Sequence, residues 1–128
     1  MLVVGLIVAT LAALLHVYIF WMESVTWTSS STRRVFGLSP AEAEATREMA
    51  YNQGFYNLFL ALQVLIGVAM HLTGHEAVGV ALALAGVGSM LAAAIVLVAK
   101  DGSRAATAAK QGLLPFVAVV ATVVGLLV

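Results

Sequence analysis

The chain has 128 residues, of which 62% are hydrophobic and only 9% are charged, and its mean hydropathy is +1.07. A soluble domain of this length cannot bury so much apolar surface, so the composition predicts a single domain in a lipid bilayer. The formal net charge is zero and no basic patch is present, which argues against a nucleic-acid partner, and the absence of cysteine excludes disulfides and thiol chemistry.

Four apolar runs follow one another along the chain, and each approaches the ~20 residues that a helix needs to cross a bilayer. With their polar flanks, the predicted spans cover about residues 1–22, 50–72, 77–99 and 107–128. The runs are continuous and do not alternate, so helices are expected rather than membrane strands. The sequence therefore predicts an all-α integral membrane four-helix bundle, with residues 1–128 forming one transmembrane domain.

The connection between the first two spans contains a helix-start signal. Residues 24–34 are polar and predict irregular chain, but Ser39 is followed by Pro40 and, three residues after the cap, by Glu42. This is the pattern of a capping box with proline at the first helical position. We therefore expect helix two to begin at Pro40, to extend on the cytoplasmic side and to run on into its span. Ser103 is expected to cap the last helix.

The basic residues predict the orientation in the membrane. All six lie between the apolar runs of spans one and two or between those of spans three and four: Arg33, Arg34, Arg47, Lys100, Arg104 and Lys110. Four spans bring these connections to the same face, and the positive-inside rule makes that face cytoplasmic. We expect an integral protein of a bacterial-type plasma membrane with both termini outside.

Polar side chains cluster where span two enters the membrane. On a helix, Asn52, Tyr56 and Gln63 share one face, and Gln53 and Asn57 share an adjacent one. Uncompensated amides are costly in hydrocarbon, so these groups need protein, water or ligand partners. We interpret all five as candidate ligand-binding residues.

Spans one and four bring further polar groups to the same depth. Glu23 ends span one, and His16 lies seven residues earlier on the same helical face, about 10 Å deeper in the membrane. Gln111 enters span four and is a sixth candidate ligand-binding residue. We predict that six side chains converge to line one cavity near the cytoplasmic leaflet: Glu23, His16, Asn52, Tyr56, Asn57 and Gln111. Glu23 is the candidate catalytic acid or base, and His16 its relay.

Each of these groups also has a structural interpretation. The amides can hold helices together, Glu23 can simply end its span at the interface, and His16 can be a buried histidine bonded to a neighbouring helix. His71, His75 and Glu76 lie at the opposite turn, where the spacing would suit a metal, but we expect them to be solvated. No metal site is predicted, and the sequence identifies no cofactor.

Four motifs give the chain a family resemblance: "FWMESVTW" at the end of span one, "VFGLS" in the connection, "NQGFYNLFLA" in span two and "KQGLLP" opening span four. The chain resembles the small four-span membrane proteins called domain of unknown function 1304. In that family one apolar residue usually separates the last Gln-Gly from proline, whereas two leucines do so here. The resemblance implies four helices and brings no established activity.

Three classes of function fit these observations. The first is an enzyme that uses Glu23 as acid or base on an amphiphilic or isoprenoid-like molecule. The second is a lipid-binding or small-molecule transport module that uses the same pocket without chemistry. The third is a structural membrane subunit whose amides hold helices together. Membrane lipid or an amphiphilic small molecule is the expected partner. The small residues of span three also suggest a homo-oligomer.

Overall fold

A computed structural model describes all 128 residues, and every regular element in it is helical. Four segments are long and apolar enough to cross a membrane, namely Leu2–Val25, Arg47–Leu72, Glu76–Lys100 and Gly102–Leu127. The elements, in chain order, are α1 (Leu2–Phe20), a π-helical turn (Trp21–Val25), α2 (Ser30–Phe36), α3 (Pro40–Ala45), α4 (Arg47–Leu72), α5 (Glu76–Lys100), a 3₁₀ turn (Gly102–Arg104) and α6 (Ala105–Leu127). The prediction of an all-α membrane bundle is confirmed.

The four long helices form a closed ring in the order α1, α4, α5, α6, and each packs chiefly against its two neighbours. Successive helices run in opposite directions, as in an up-down-up-down bundle. One end, here called the polar end, carries the π turn, α2, α3 and the junction between α5 and α6. The other end, here called the terminal end, carries both chain termini and the short turn between α4 and α5.

Small side chains let the helix axes approach closely. The fully buried cluster at the centre consists mainly of alanines with two valines and one methionine: Ala9, Ala12, Ala13, Ala61, Val64, Val87, Met90 and Ala118. At Gly67 of α4, an added Cβ would lie 2.5 Å from the backbone nitrogen of Ala83 in α5. Large apolar side chains such as Ile7, Leu11 and Leu14 point outward instead. This arrangement is typical of helix packing in lipid, where backbone proximity replaces a hydrophobic driving force.

The small residues of span three are used mainly inside the chain. Gly79, Ala83 and Gly86 are buried against α4. Gly88 differs from them, because a Cβ added there would have no neighbouring atom within 4 Å. The packing surface that suggested a second copy therefore already has a partner in α4 over much of its length.

The first connection is more regular than the sequence predicts. Residues 24–34, expected to be irregular, contain the end of the π turn and the start of α2. The hydroxyl of Ser29 accepts the N–H of Thr32 at 3.3 Å and caps α2. The hydroxyls of Thr26 and Thr32 lie 2.7 Å apart and join the two elements. The prediction of irregular chain was wrong because short-range hydroxyl bonds here begin a helix instead of opposing one.

The capping box at Ser39 is confirmed. The hydroxyl of Ser39 accepts the N–H of Glu42 at 3.1 Å, and the Glu42 carboxylate accepts the N–H of Ser39 at 2.8 Å. The helix does not run on into α4, however, because it ends at Thr46, where φ is −105° and ψ is 5°. The hydroxyl of Thr46 donates to the carbonyl of Glu42 at 2.8 Å and accepts the indole N–H of Trp27 at 3.1 Å. The extension of helix two is therefore a separate short helix.

Ser103 does not cap the last helix, because α6 begins after Arg104 and has no side-chain cap, whereas Asp101 caps the 3₁₀ turn that precedes it. The Asp101 carboxylate accepts the hydroxyl of Ser103 at 2.6 Å and its N–H at 3.0 Å. These two bonds, the hydroxyl first, hold the pKa of Asp101 below its usual value. The prediction for Ser103 was wrong because Ser103 lies inside the 3₁₀ turn, where its hydroxyl and N–H bond to Asp101.

Candidate functional site

A π-helical turn ends the first span and sets the position of Glu23. The N–H of Thr26 donates to the carbonyl of Trp21 at 3.1 Å, five residues back, which is the hydrogen-bond spacing of a π helix. Such turns are rare and occur frequently at functional sites. The wider turn packs directly on Gly54 of α4, where an added Cβ would collide with the hydroxyl of Ser24 and would lie 3.1 Å from the carbonyl of Phe20. A glycine is therefore required for this close approach.

Two hydrogen bonds join the π turn to α4. The amide nitrogen of Asn57 donates to Oε2 of Glu23 at 2.7 Å and to the carbonyl of Gln53 at 3.3 Å. The hydroxyl of Ser24 donates to the carbonyl of Tyr51 at 2.8 Å. Both protons of the Asn57 amide are used, which fixes its orientation. Oε1 of Glu23 accepts no hydrogen bond from the protein and is available to another molecule.

Glu23 borders a cleft of about 590 Å³ at the polar end. The cleft lies between the π turn, the chain that follows it and the first turns of α4. It is lined by Glu23, Ser24, Val25, Trp27, Thr28, Arg47, Glu48 and Tyr51. We call it the Glu23 cleft. Its volume is within the range that small-molecule sites occupy in proteins.

The aromatic wall of the Glu23 cleft is fixed by contacts outside it. The ring of Trp27 packs on Phe36 of α2 with centroids 4.9 Å apart, and its N–H is held by Thr46. The ring of Tyr51 packs on Phe55, one turn further along α4, at 5.1 Å. Both rings are thus positioned before any ligand arrives, which lowers the entropy cost of binding.

A second and smaller cleft of about 170 Å³ lies between α1, α2 and α6. Most of its lining is apolar, and it is bordered by Leu15, Tyr18, Ile19, Met22, Val35, Phe36, Thr107, Lys110 and Gln111. Gln111 is therefore not part of the Glu23 cleft. Met22 and Glu23 are neighbours in the chain, yet they border different clefts.

The prediction that six polar groups line one cavity was wrong. Glu23 and Asn57 meet, but Asn52, Gln53 and Tyr56 are exposed, with Tyr56 at 59%. The inward face of α4 is set by small and apolar residues, namely Ala50, Gly54, Ala61 and Val64. Asn57 continues that helical stripe, whereas Asn52 and Tyr56 lie away from it. Their roles in ligand binding stay predictions.

Two further candidates, His16 and Gln63, lie further from the polar end of the bundle. His16 is 2% exposed, and its Nδ1–H donates to the carbonyl of Ala12 at 2.9 Å, within its own helix. No hydrogen bond joins His16 to Glu23, and His16 borders neither cleft. The two side chains are therefore not arranged for a proton relay. Gln63 is half-buried and its amide makes no side-chain hydrogen bond.

At the terminal end, His71, His75 and Glu76 do not form a metal cluster. No three His, Asp or Glu side chains anywhere in the chain come together in a way that could hold an ion. His75 and Glu76 are exposed, whereas Nδ1 of His71 is buried without a hydrogen-bond partner.

Several cleft residues were missed from the sequence. Glu48 and Tyr51 lie three residues apart and so share a helical face. This spacing could have predicted that both side chains border one site. Ser24 adjoins Glu23, but its bond to Tyr51 depends on the π turn, and the π turn has no signature in the sequence. Trp27 reaches the cleft only because α2 and Thr46 hold it there.

Fold and site together define a small membrane protein whose four-helix bundle carries a polar cleft at one end. The chain belongs to the family described as Protein of unknown function (DUF1304), which matches residues 10–123. The resemblance indicated by the four motifs is therefore confirmed. No curated protein and no solved structure matches the chain.

Proposed function

We propose that the protein binds an amphiphilic molecule whose polar head enters the Glu23 cleft, and that Glu23 exchanges a proton with that head. The observation that carries the proposal is the hydrogen bonding of the Glu23 carboxyl group. One oxygen is held by Asn57 at 2.7 Å, while the other is free at the border of the cleft. A carboxyl that is oriented at one oxygen and open at the other is arranged as a general acid or base.

The position of the cleft supports an amphiphilic ligand. Glu23 belongs to a segment that can cross the membrane, and the cleft adjoins the first turns of the second such segment. A polar head in the cleft would leave an apolar chain beside the outward-facing side chains of the bundle. Tyr56 and Phe59, both largely exposed on α4, provide such a surface.

The orientation of the cleft follows from the basic residues. Arg33, Arg34 and Arg47 lie in α2 and at the start of α4, and Lys100, Arg104 and Lys110 lie around the junction of α5 and α6. All six belong to the polar end. We propose that this end faces the cytoplasm of a bacterial-type cell and that both termini face outward. A reporter fused after Val128 that is active only outside the cytoplasm tests this, and a cytoplasmic signal would contradict it.

The test of function compares two matched substitutions. Glu23→Gln removes the titrating group while keeping the shape, and Glu76→Gln makes the same change at the terminal end. The probe is an alkyl amphiphile with a hydroxyl head and a photoreactive diazirine beside that head. We expect saturable labelling within the Glu23 cleft in the natural protein and in Glu76→Gln, and its loss in Glu23→Gln at an unchanged melting temperature. Equal labelling of all three proteins would contradict the proposal.

A structural role is the second candidate, because the same residues join two elements. Asn57 to Glu23 and Ser24 to Tyr51 are both bonds between the π turn and α4. If these bonds serve only to hold helices together, Glu23→Gln lowers the melting temperature, and the folded fraction of this variant is labelled as strongly as the natural protein. The melting temperature and the labelling therefore separate the two functions.

We also propose that the protein forms a homo-oligomer. Ala81, Ala85 and Ala92 remain exposed on α5 at helical spacing, on the face that α4 does not cover. Small residues at such spacing permit close helix contacts in lipid. Crosslinking in native membranes that yields dimers supports this proposal, and monomer alone contradicts it.

A further inference from the structure

We infer that the head group bound by the Glu23 cleft is an ammonium group that carries at least one N–H. This inference rests on the proposed function and adds the chemical class of the ligand. Three features support it, namely the charges that border the cleft, its aromatic walls and the free oxygen of Glu23.

The balance of charge in the cleft is negative. Glu23 and Glu48 both border it, and Glu48 has neither an ion pair nor a side-chain hydrogen bond. Arg47 is the one cation on the cleft wall, and its guanidinium is shared with Glu44 at 3.4 Å. The cleft thus offers two carboxylates against a cation that already has an anionic partner. An anionic head would meet repulsion there, whereas a cation would be attracted.

The walls of the cleft suit an organic cation better than a metal ion. Trp27 and Tyr51 border the same space as the two carboxylates. Aromatic faces attract ammonium groups through their quadrupole, and tryptophan does so most strongly. A hard metal ion would instead require several oxygen ligands converging at short distances, and no three acidic or histidine side chains converge here.

The free oxygen of Glu23 is the reason that the bound ammonium group must carry an N–H. Oε2 already accepts from Asn57, so Oε1 is the acceptor that remains. An ammonium N–H that donates to Oε1 forms a charge-assisted hydrogen bond, which is stronger than a neutral one. The same contact permits the proton exchange assigned to Glu23, since the proton moves from nitrogen to Oε1 and leaves a neutral amine.

Binding is measured by the fluorescence of Trp27. Trp21→Phe removes the other tryptophan, which faces outward, so that Trp27 is the only source of tryptophan fluorescence. The protein is held in dodecyl maltoside, which contains no ammonium group. Three probes are titrated, namely dodecylammonium, dodecanol and ethylammonium, so that charge and chain are varied one at a time.

We expect dodecylammonium to saturate the Trp27 signal at a concentration about tenfold or more below that of dodecanol. Glu48→Gln should weaken dodecylammonium binding about tenfold, and Glu76→Gln should leave it unchanged. Glu48 makes no bond within the protein, so its substitution leaves the fold intact, which the melting temperature verifies.

Three other results distinguish the ammonium inference from the proposed function. If dodecanol binds as tightly as dodecylammonium and still requires Glu23, the ammonium inference is overturned and the proposed function stands. If ethylammonium binds as tightly as dodecylammonium, the cleft does recognise an ammonium group, but the amphiphile of the proposed function is overturned. If no probe saturates the signal, both are overturned.

Discussion

The two ends of the bundle use the same helices in opposite ways. At the terminal end, α1 lies directly against α6, and α4 directly against α5, at glycines whose added Cβ would meet backbone. The turn from Thr73 to His75 is short, and Gly74 takes a φ of +92° that only glycine adopts without strain. At the polar end, the π turn also packs directly on Gly54 of α4, but beyond that contact a cleft opens between the chain that follows the π turn and the first turns of α4.

This difference shows where the bundle can accommodate a ligand. Close backbone packing leaves no room and fixes the helix positions, whereas hydrogen bonds between side chains leave space beside them. Gly67 is an example of close backbone packing, and Glu23 is an example of the hydrogen-bonded arrangement. The first is sensitive to added volume, and the second is sensitive to lost polar partners.

The largest effect is expected from adding a methyl group in the α4–α5 contact. In Gly67→Ala the new Cβ would meet the backbone of Ala83 and Gly79, which cannot move aside as a side chain can. We expect a loss of about 3 kcal/mol in the free energy of unfolding, measured by equilibrium denaturation in mixed micelles. Gly88→Ala is the control, since nothing lies within 4 Å of its Cβ position. Equal stability of the two variants would contradict the packing described.

A smaller effect is expected from removing the partner of Glu23. Asn57→Ala leaves Oε2 of Glu23 without its donor, and we expect a loss of about 2 kcal/mol in the free energy of unfolding. Gln53→Ala is the control, because its exposed amide makes no hydrogen bond. If Gln53→Ala is as destabilising as Asn57→Ala, the bond to Glu23 contributes nothing.

The capping box should have a local effect. Ser39→Ala removes the acceptor of the Glu42 N–H and should destabilise α3 by about 1 kcal/mol. Amide hydrogen exchange should quicken over residues 41–45 and stay constant in α4, from which Thr46 separates them. Ser30→Ala, whose hydroxyl makes no bond, provides the comparison. Faster exchange throughout α4 would mean that α3 and α4 unfold together.

The smallest effect is the response of α3 to pH. The backbone N–H of Ser39, and after it the hydroxyl, hold the pKa of Glu42 below its usual 4.5. A lowered pKa in the folded state means that the stabilisation is complete above 4.5 and is lost as the pH falls through the lower folded value. The carbon chemical shifts of Ala41 and Ala43 should therefore report fraying on acidification. The shifts should be independent of pH in Glu42→Gln, and fraying on a rise in pH would contradict the assignment.

Local patterns in the amino-acid sequence were sufficient to predict the class of protein and much of the local structure. Continuous apolar runs leave helices as the only spanning form, because lipid offers no partner for an unpaired backbone. The capping box at Ser39 was readable because all its bonds are made within four residues. The four motifs, in the same way, were sufficient to indicate the family.

Which polar groups meet depends on how the helices pack against one another. Asn52, Tyr56 and Gln111 share a depth with Glu23, but depth does not fix the direction in which a side chain points. That direction on α4 was decided by Gly54, whose missing side chain lets the π turn approach and carries Asn57 inward. The rotation of a helix about its axis depends on contacts with chain far away in sequence, whereas its length and caps depend only on neighbours. The sequence therefore indicated Glu23 and Asn57 as candidates, and only the packing of α4 against the π turn selected them as a pair.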